Sequence, residues 1–313
     1  MTAGKSRPWR LLAPLAAVLT LFAAWSGYWL IAFNIAQQEV AARRTVLAAQ
    51  GTTLACQDES WGGFPFRFEF ACRAPVFDAA IQGHQVNLRG AALLIVAQAY
   101  DPSRIVALLD GPTLIRPGDG SVFEARHDRA IASFRHTGEA CGPFAIEIPA
   151  LTVPGVVEAS RLALHLRCLD GRADIAMNGQ DLTLHGTVSG PVKLDAASFV
   201  AKTDFPGSGL QAEILSAEIA RNGVVVKGKG WLGLDPERRL AGNLATETND
   251  IDGLLGEASR YHPLSEPDRA ALKTLLGLID GSAADKQAKA DFIAKDGELY
   301  WGPFKLADLP PLY

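Results

Sequence analysis

Between Leu11 and Phe33 the chain carries no charged residue, and from Thr52 onward apolar and polar positions alternate in short runs broken by glycine, proline and asparagine. The two patterns predict two kinds of structure. As a helix, Leu11–Phe33 spans roughly 34 Å at about 1.5 Å per residue, enough to cross a hydrocarbon core of about 30 Å. It exceeds the apolar stretch of about 7 to 15 residues found in a cleaved secretory signal, so an uncleaved transmembrane anchor is expected. Trp25, Tyr28 and Trp29 gather toward its far end, as aromatic residues do at a membrane interface. From Asn34 to Gln50 the helical pattern continues but turns polar, with Val40 and Leu47 seven apart, and Gly51 ends it. This segment reads as a juxtamembrane spacer without a partner of its own. The first strand follows over Thr52–Cys56.

The densest aromatic stretch is Trp61-Gly62-Gly63-Phe64-Pro65-Phe66-Arg67-Phe68-Glu69-Phe70-Ala71-Cys72. Side chains alternate across a strand, so one strand through this stretch puts Phe64, Phe66, Phe68, Phe70 and Cys72 on one face and Pro65, Arg67, Glu69 and Ala71 on the other. Such a face is either the first core strand of a β domain or the wall of a groove for an apolar ligand. On the second reading Phe64, Phe66, Phe68 and Phe70 are the candidate ligand-binding residues.

Strand signals fill the rest. Gln85–Ala99 is rich in valine, leucine, isoleucine and alanine; Tyr100-Asp101-Pro102-Ser103-Arg104 breaks it before Ile105–Leu109 and Gly111-Pro112. Asp170-Gly171, Asn178-Gly179, Asn222-Gly223 and Asp296-Gly297 are hairpin signals between alternating segments. Gln211–Arg221, Val224–Leu234 and Arg239–Thr248 read as three neighbouring strands. Helix evidence beyond the anchor is confined to Asp252–Arg260 and to a stripe of Leu272, Leu275, Leu276 and Ile279 after a Ser265 cap. The expected fold is mainly β (α+β): an N-terminal transmembrane helix, then an antiparallel, curled sheet with a few packing helices. The boundaries are 1–10 for a cytoplasmic N-terminus, 11–33 for the span, 34–50 for the juxtamembrane helix and 51–313 for one β-rich domain.

Composition narrows the function classes. A net charge of −4 over 313 residues supplies no basic stripe for nucleic acid. Lys5, Arg7 and Arg10 precede the span, so the positive-inside rule sends the bulk of the chain across the membrane. Four cysteines suit an oxidising compartment. If Pro154-Gly155 forms a two-residue turn, Val153 faces Val156 and the same register sets Cys141 opposite Cys168, which leaves Cys56 to pair with Cys72. Metal is not expected, because no Cys-x-x-Cys is present. Nucleophile-elbow, zinc-protease and phosphate-loop motifs are missing, so no enzyme and no cofactor are expected. Gly228-Lys229-Gly230-Trp231-Leu232-Gly233 has the spacing of a dinucleotide loop but runs into a turn rather than a helix.

The anchor, Gly63-Phe64-Pro65-Phe66-Arg67, Ala97-Gln98-Ala99-Tyr100-Asp101-Pro102 and the closing Asp296-Gly297-Glu298-Leu299-Tyr300-Trp301-Gly302-Pro303-Phe304 with Leu309-Pro310-Pro311 resemble domain of unknown function family 2125, bacterial membrane-anchored envelope proteins. The resemblance implies a bacterial inner-membrane protein with most of its chain in the periplasm, and it transfers no catalytic residue. The layout is also similar to AsmA-like envelope proteins, whose curled sheets handle lipid. Two functions are therefore expected in competition: lipid binding or transfer in an apolar groove during envelope maintenance, or an anchored module that organises other envelope proteins and takes no small ligand.

Overall fold

A computed structural model describes residues 9–81, 84–118, 120–137, 142–169, 172–185, 190–204, 211–260, 265–267, 269–271, 273–274, 287–302 and 304–311. The chain divides into two compact units, Met1–Val122 and Phe123–Tyr313.

Unit 1 opens with one continuous helix, α1 (Trp9–Ala49), long and apolar enough over its first part to cross a membrane. Its strands are β1 (Thr53–Ala55), β2 (Asp58–Gly62), β3 (Arg67–Arg73), β4 (Val76–Ile81), β5 (His84–Arg89), β6 (Ala92–Gln98), β7 (Asp101–Asp110) and β8 (Thr113–Pro117). They form two antiparallel layers within the unit, ordered β2-β3-β6-β7 and β1-β4-β5-β8. In β3 the alternation is clean: Phe68, Phe70 and Cys72 are buried, and Arg67 and Arg73 are exposed at its ends. The β3–β6 register sets Phe68 beside Ala97, Phe70 beside Ile95 and Cys72 beside Leu93. Cys56, between β1 and β2, is joined to Cys72 by a disulfide with Cα atoms 5.3 Å apart, as expected.

The strand does not extend back to Phe64. Residues Phe64–Phe66 form a turn closed by the Arg67 N–H donating to the Gly63 carbonyl over 3.1 Å. Gly63 holds φ at +103°, and a Cβ there would lie 2.5 Å from the Arg67 carbonyl oxygen, so the chain reverses where period-two alternation predicts a strand. Phe64 and Phe66 are left 49% and 65% exposed, whereas Phe68 and Phe70 are buried. Likewise Pro102 to Arg104 belong to β7, and the break after β6 is only Ala99-Tyr100.

Unit 2 contains β9 (Phe123–Ala125), β10 (Ala130–Arg135), β11 (Phe144–Val153), β12 (Val157–Leu169), β13 (Arg172–Leu184), β14 (Val192–Asp204), β15 (Gln211–Arg221), β16 (Val224–Leu234), β17 (Leu240–Thr248), α2 (Ile251–Ala258), β18 (Ala288–Lys295), β19 (Glu298–Trp301) and β20 (Phe304–Asp308). From β10 to β20 each strand pairs with the next, all antiparallel, and among the described residues β20 pairs only with β19, so this meander is not closed. Its two faces differ. One cross-strand row reads Ile146, Leu164, Met177, Phe199, Ala217 and Gly228; the adjacent position on each strand gives Glu147, Ala163, Asn178, Ser198, Glu218 and Lys227. That division is the signature of an antiparallel sheet with one apolar side. Asp250 caps α2 by accepting from the Gly253 N–H, and Ile251 and Leu255 pack with Ala288 and Ala290 of β18.

Three expectations in unit 2 meet different outcomes. Asn222-Gly223 and Asp296-Gly297 do turn, each with both residues at positive φ. Asn178-Gly179 does not: it lies inside β13, paired to Ala163 and Leu162 on one side and to Ser198 and Ala197 on the other, and ladders on both edges outweigh its turn preference. The loop at Pro154-Gly155 takes three residues, with Gly155 at φ +73° and the Val156 N–H donating to the Val153 carbonyl. Val153 therefore pairs with Val157, one residue beyond the predicted register. Cys168 is nonetheless disulfide-bonded and buried, while Cys141 lies outside the described residues. The Asp170-Gly171 turn and the stripe of Leu272, Leu275, Leu276 and Ile279 also lie outside them.

Candidate functional site

The second half of α1 does not stand alone as a spacer. Tyr28, Ala32, Ile35, Ala36, Glu39, Val40, Arg43, Arg44, Leu47 and Ala48, a stripe at helical spacing, face Phe68 and Phe70 of β3, Ile95 and Ala97 of β6 and Ile105 of β7 across an open groove. Trp61, Leu54 and Phe77 line it as well, and its volume is about 750 Å³, within the range of small-molecule sites. Ala32, Ala36, Ala48 and Ala97, with Thr52 and Thr53, leave space in it that larger side chains would fill.

The polar fittings are few. The Arg43 guanidinium pairs with Glu39 at 2.7 Å, one turn along the helix. Arg44 donates from Nη1 to Glu59 Oε2 over 2.9 Å and stands 4.9 Å above the centre of the Phe70 ring. Its Nη2 is buried with no hydrogen-bond partner, a donor that a bound oxygen would satisfy.

At the Tyr28 end aromatic residues pin the helix to the sheet. Trp29 is buried against Phe68 and Ala99, with Trp25, Ala32 and Phe33 packed around them. The Trp25 indole donates to the Pro65 carbonyl over 2.9 Å, Trp29 to that of Arg67 over 3.1 Å, and the Tyr28 hydroxyl to that of Ala99 over 2.9 Å. Of the four predicted phenylalanines, then, Phe68 and Phe70 form the wall of the groove and Phe64 and Phe66 lie outside it.

Titratable groups with shifted protonation lie elsewhere, at turns of unit 2. Burial raises the Asp235 carboxyl, but hydrogen bonds from the Arg239 backbone and guanidinium outweigh it and leave it below its ordinary value. Glu298 is held low by hydrogen bonds from Lys305 and then Tyr300. Both are clasps that fix hairpins: Asp235 and Arg239 span the β16–β17 turn, and Lys305 reaches from β20 to β19. His185 donates to or accepts from Glu158 at 3.1 Å, and among the described residues no three histidines, cysteines or carboxylates are grouped as metal ligands. Gly228–Gly233 lies wholly within β16, where Gly230 lets the backbone pass close to Asn243.

The family model for uncharacterised proteins conserved in bacteria, domain of unknown function family 2125, matches residues 29–310. The chain belongs to that family. The match begins at Trp29, so apart from Tyr28 it takes in the groove-lining part of α1 together with both β units. No curated protein matches the chain.

Sequence reasoning reached Phe68 and Phe70 but missed the helix wall. The stripe from Tyr28 to Ala48 was there to be read at i, i+4 and i+7; the charges of Glu39, Arg43 and Arg44 within it gave it the look of a solvated face.

Proposed function

We propose that this protein is anchored by α1 in the bacterial inner membrane and binds lipid in the groove between α1 and the unit 1 sheet, on the side away from the cytoplasm. The observation that carries the reading is the groove itself, whose helix wall is the direct continuation of an apolar run long enough to span a bilayer. From Tyr28, within the far end of the apolar run, to Ala48 that wall is about 30 Å long. An acyl chain leaving the bilayer meets Tyr28, Phe68 and Ala97 first and then apolar surface along its length. Burial of each CH₂ contributes about 0.8 kcal/mol, so a single chain suffices for binding. The unpartnered Arg44 Nη2 suits the oxygen of an anionic head group, and the apolar face of unit 2 offers more surface of the same chemistry.

Native mass spectrometry of the full-length protein, released from mild detergent, tests this. Lipid adducts are expected on the natural chain. Ala36→Trp fills the groove from the helix side, and the variant should lose the adducts while its melting temperature holds. Both forms arriving free of lipid would leave the alternative, an anchored interaction module without a small ligand.

A further inference from the structure

The two hairpin tips beside α1 hold large rings in water. Phe64 and Phe66, between β2 and β3, are 49% and 65% exposed, and Tyr100, between β6 and β7, is 67% exposed. The Ala99 N–H donates to the Phe66 carbonyl over 2.9 Å, which joins the tips into one platform. Three side chains of α1, from Trp25, Tyr28 and Trp29, donate to carbonyls of that platform and fix its height along the helix. The Phe64 ring lies 6.2 Å from Phe22 and 5.3 Å from Trp29; the Phe66 ring lies 6.4 Å from Trp25. Phe22 sits in the middle of the uncharged run, with Leu19, Leu21, Leu30 and Ile31 exposed around it.

From these contacts we infer that the β2–β3 and β6–β7 tips insert Phe64, Phe66 and Tyr100 into the same lipid leaflet that α1 leaves, as a second membrane contact. This rests on the reading of α1 as a membrane anchor and goes beyond it. A helix whose surroundings at Phe22 are hydrocarbon brings Phe64 into hydrocarbon too, because the two rings are in contact. Trp25, Tyr28 and Trp29 then mark the interface, the level that such residues prefer. From Leu11, the first residue after Arg10, to Trp29 the helix rises about 27 Å, near the short end of lengths that cross a bilayer. The indole donors satisfy the Pro65 and Arg67 carbonyls, which hydrocarbon would otherwise leave unpaired. Arg67 and Arg104, each paired to one carboxylate and mostly exposed, flank the rings at the height of lipid phosphates. The groove, which starts at Tyr28, thus opens at the membrane surface rather than in bulk water.

The full-length protein in phosphatidylcholine vesicles provides the test, with acyl chains brominated at known depths as quenchers. Single substitutions Phe66→Cys, Tyr100→Cys, Leu19→Cys and Ala91→Cys each receive an environment-sensitive fluorophore; among the described residues no free cysteine competes for the label. Ala91 is exposed at the opposite end of β6. Quenching at Phe66 and Tyr100 is expected to peak about 5 to 10 Å below the head groups, at Leu19 deeper, and at Ala91 to be absent. Quenching at Leu19 with none at Phe66 or Tyr100 overturns the inserted tips and leaves the anchor standing. Quenching at none of the four removes the anchor and the tips together. Tyr100 and Phe66 sit on different hairpins, so one disturbed turn does not decide the result.

Discussion

Phe68 leaves water on folding and Phe66 largely does not, so the two rings, two residues apart, separate a stability effect from a surface effect. Phe68 touches Trp29 and Phe33, with ring centres 5.8 and 6.3 Å away. Phe68→Ala should cost about 3 to 5 kcal/mol, the price of a buried phenylalanine, read as a lower denaturation midpoint in detergent. Phe66→Ala should stay within about 0.5 kcal/mol of the natural chain in the same measurement. Equal losses at both positions would mean that Phe66 is core after all. The difference was legible only in part. Alternation correctly put Phe68, Phe70 and Cys72 on one buried face; what it overran was Gly63 and Pro65, residues that favour reversal and that the rhythm of four phenylalanines concealed.

At the scale of elements, local chemistry was readable wherever it decided the outcome. The strands β15 and β16 fall where alternation and Asn222-Gly223 put them, and Asp250 starts α2 within two residues of the expected place. Asn178-Gly179 and Pro154-Gly155 failed for a different reason: whether a pair turns, and with how many residues, depends on the partners waiting across the ladder, which are distant in sequence. The Cys56–Cys72 bridge ties β3 to the connection between β1 and β2, where the chain passes from one layer to the other. Its bond closes a loop with a separation of 16 residues. The unfolded chain loses entropy accordingly, and Cys56→Ser with Cys72→Ser should lower stability by about 3 kcal/mol. Unfolding of the double variant, compared with the natural chain under nonreducing conditions, measures it; an unchanged midpoint would show that packing in unit 1 holds the two layers without the bridge.

For the whole molecule, the two-unit division escaped the sequence because Gly118-Asp119-Gly120-Ser121, just before Phe123, looks like any of the chain's many turn signals. The side of the membrane is a different matter, because two unrelated physical effects bear on it. Lys5, Arg7 and Arg10 crowd the near end of α1, and positively charged flanks resist translocation. Beyond the apolar run the first cations are Arg43 and Arg44, each paired to a carboxylate at 2.7 and 2.9 Å, and both lie some turns away from Trp25. Independently, the Cys56–Cys72 disulfide persists only where the compartment is oxidising. Charge asymmetry acts during insertion and redox poise acts on the finished fold, so their agreement is not built in. A reporter enzyme that matures only outside the cytoplasm, fused after Tyr313, should therefore be active, and the same fusion should show Cys56 and Cys72 inaccessible to thiol reagents in intact cells. Replacing Lys5, Arg7 and Arg10 with alanine removes the bias and should lower reporter activity and expose those thiols in step. A silent reporter on the natural chain, or thiols that stay protected while the reporter falls silent, would break the link between the anchor's orientation and the bridge.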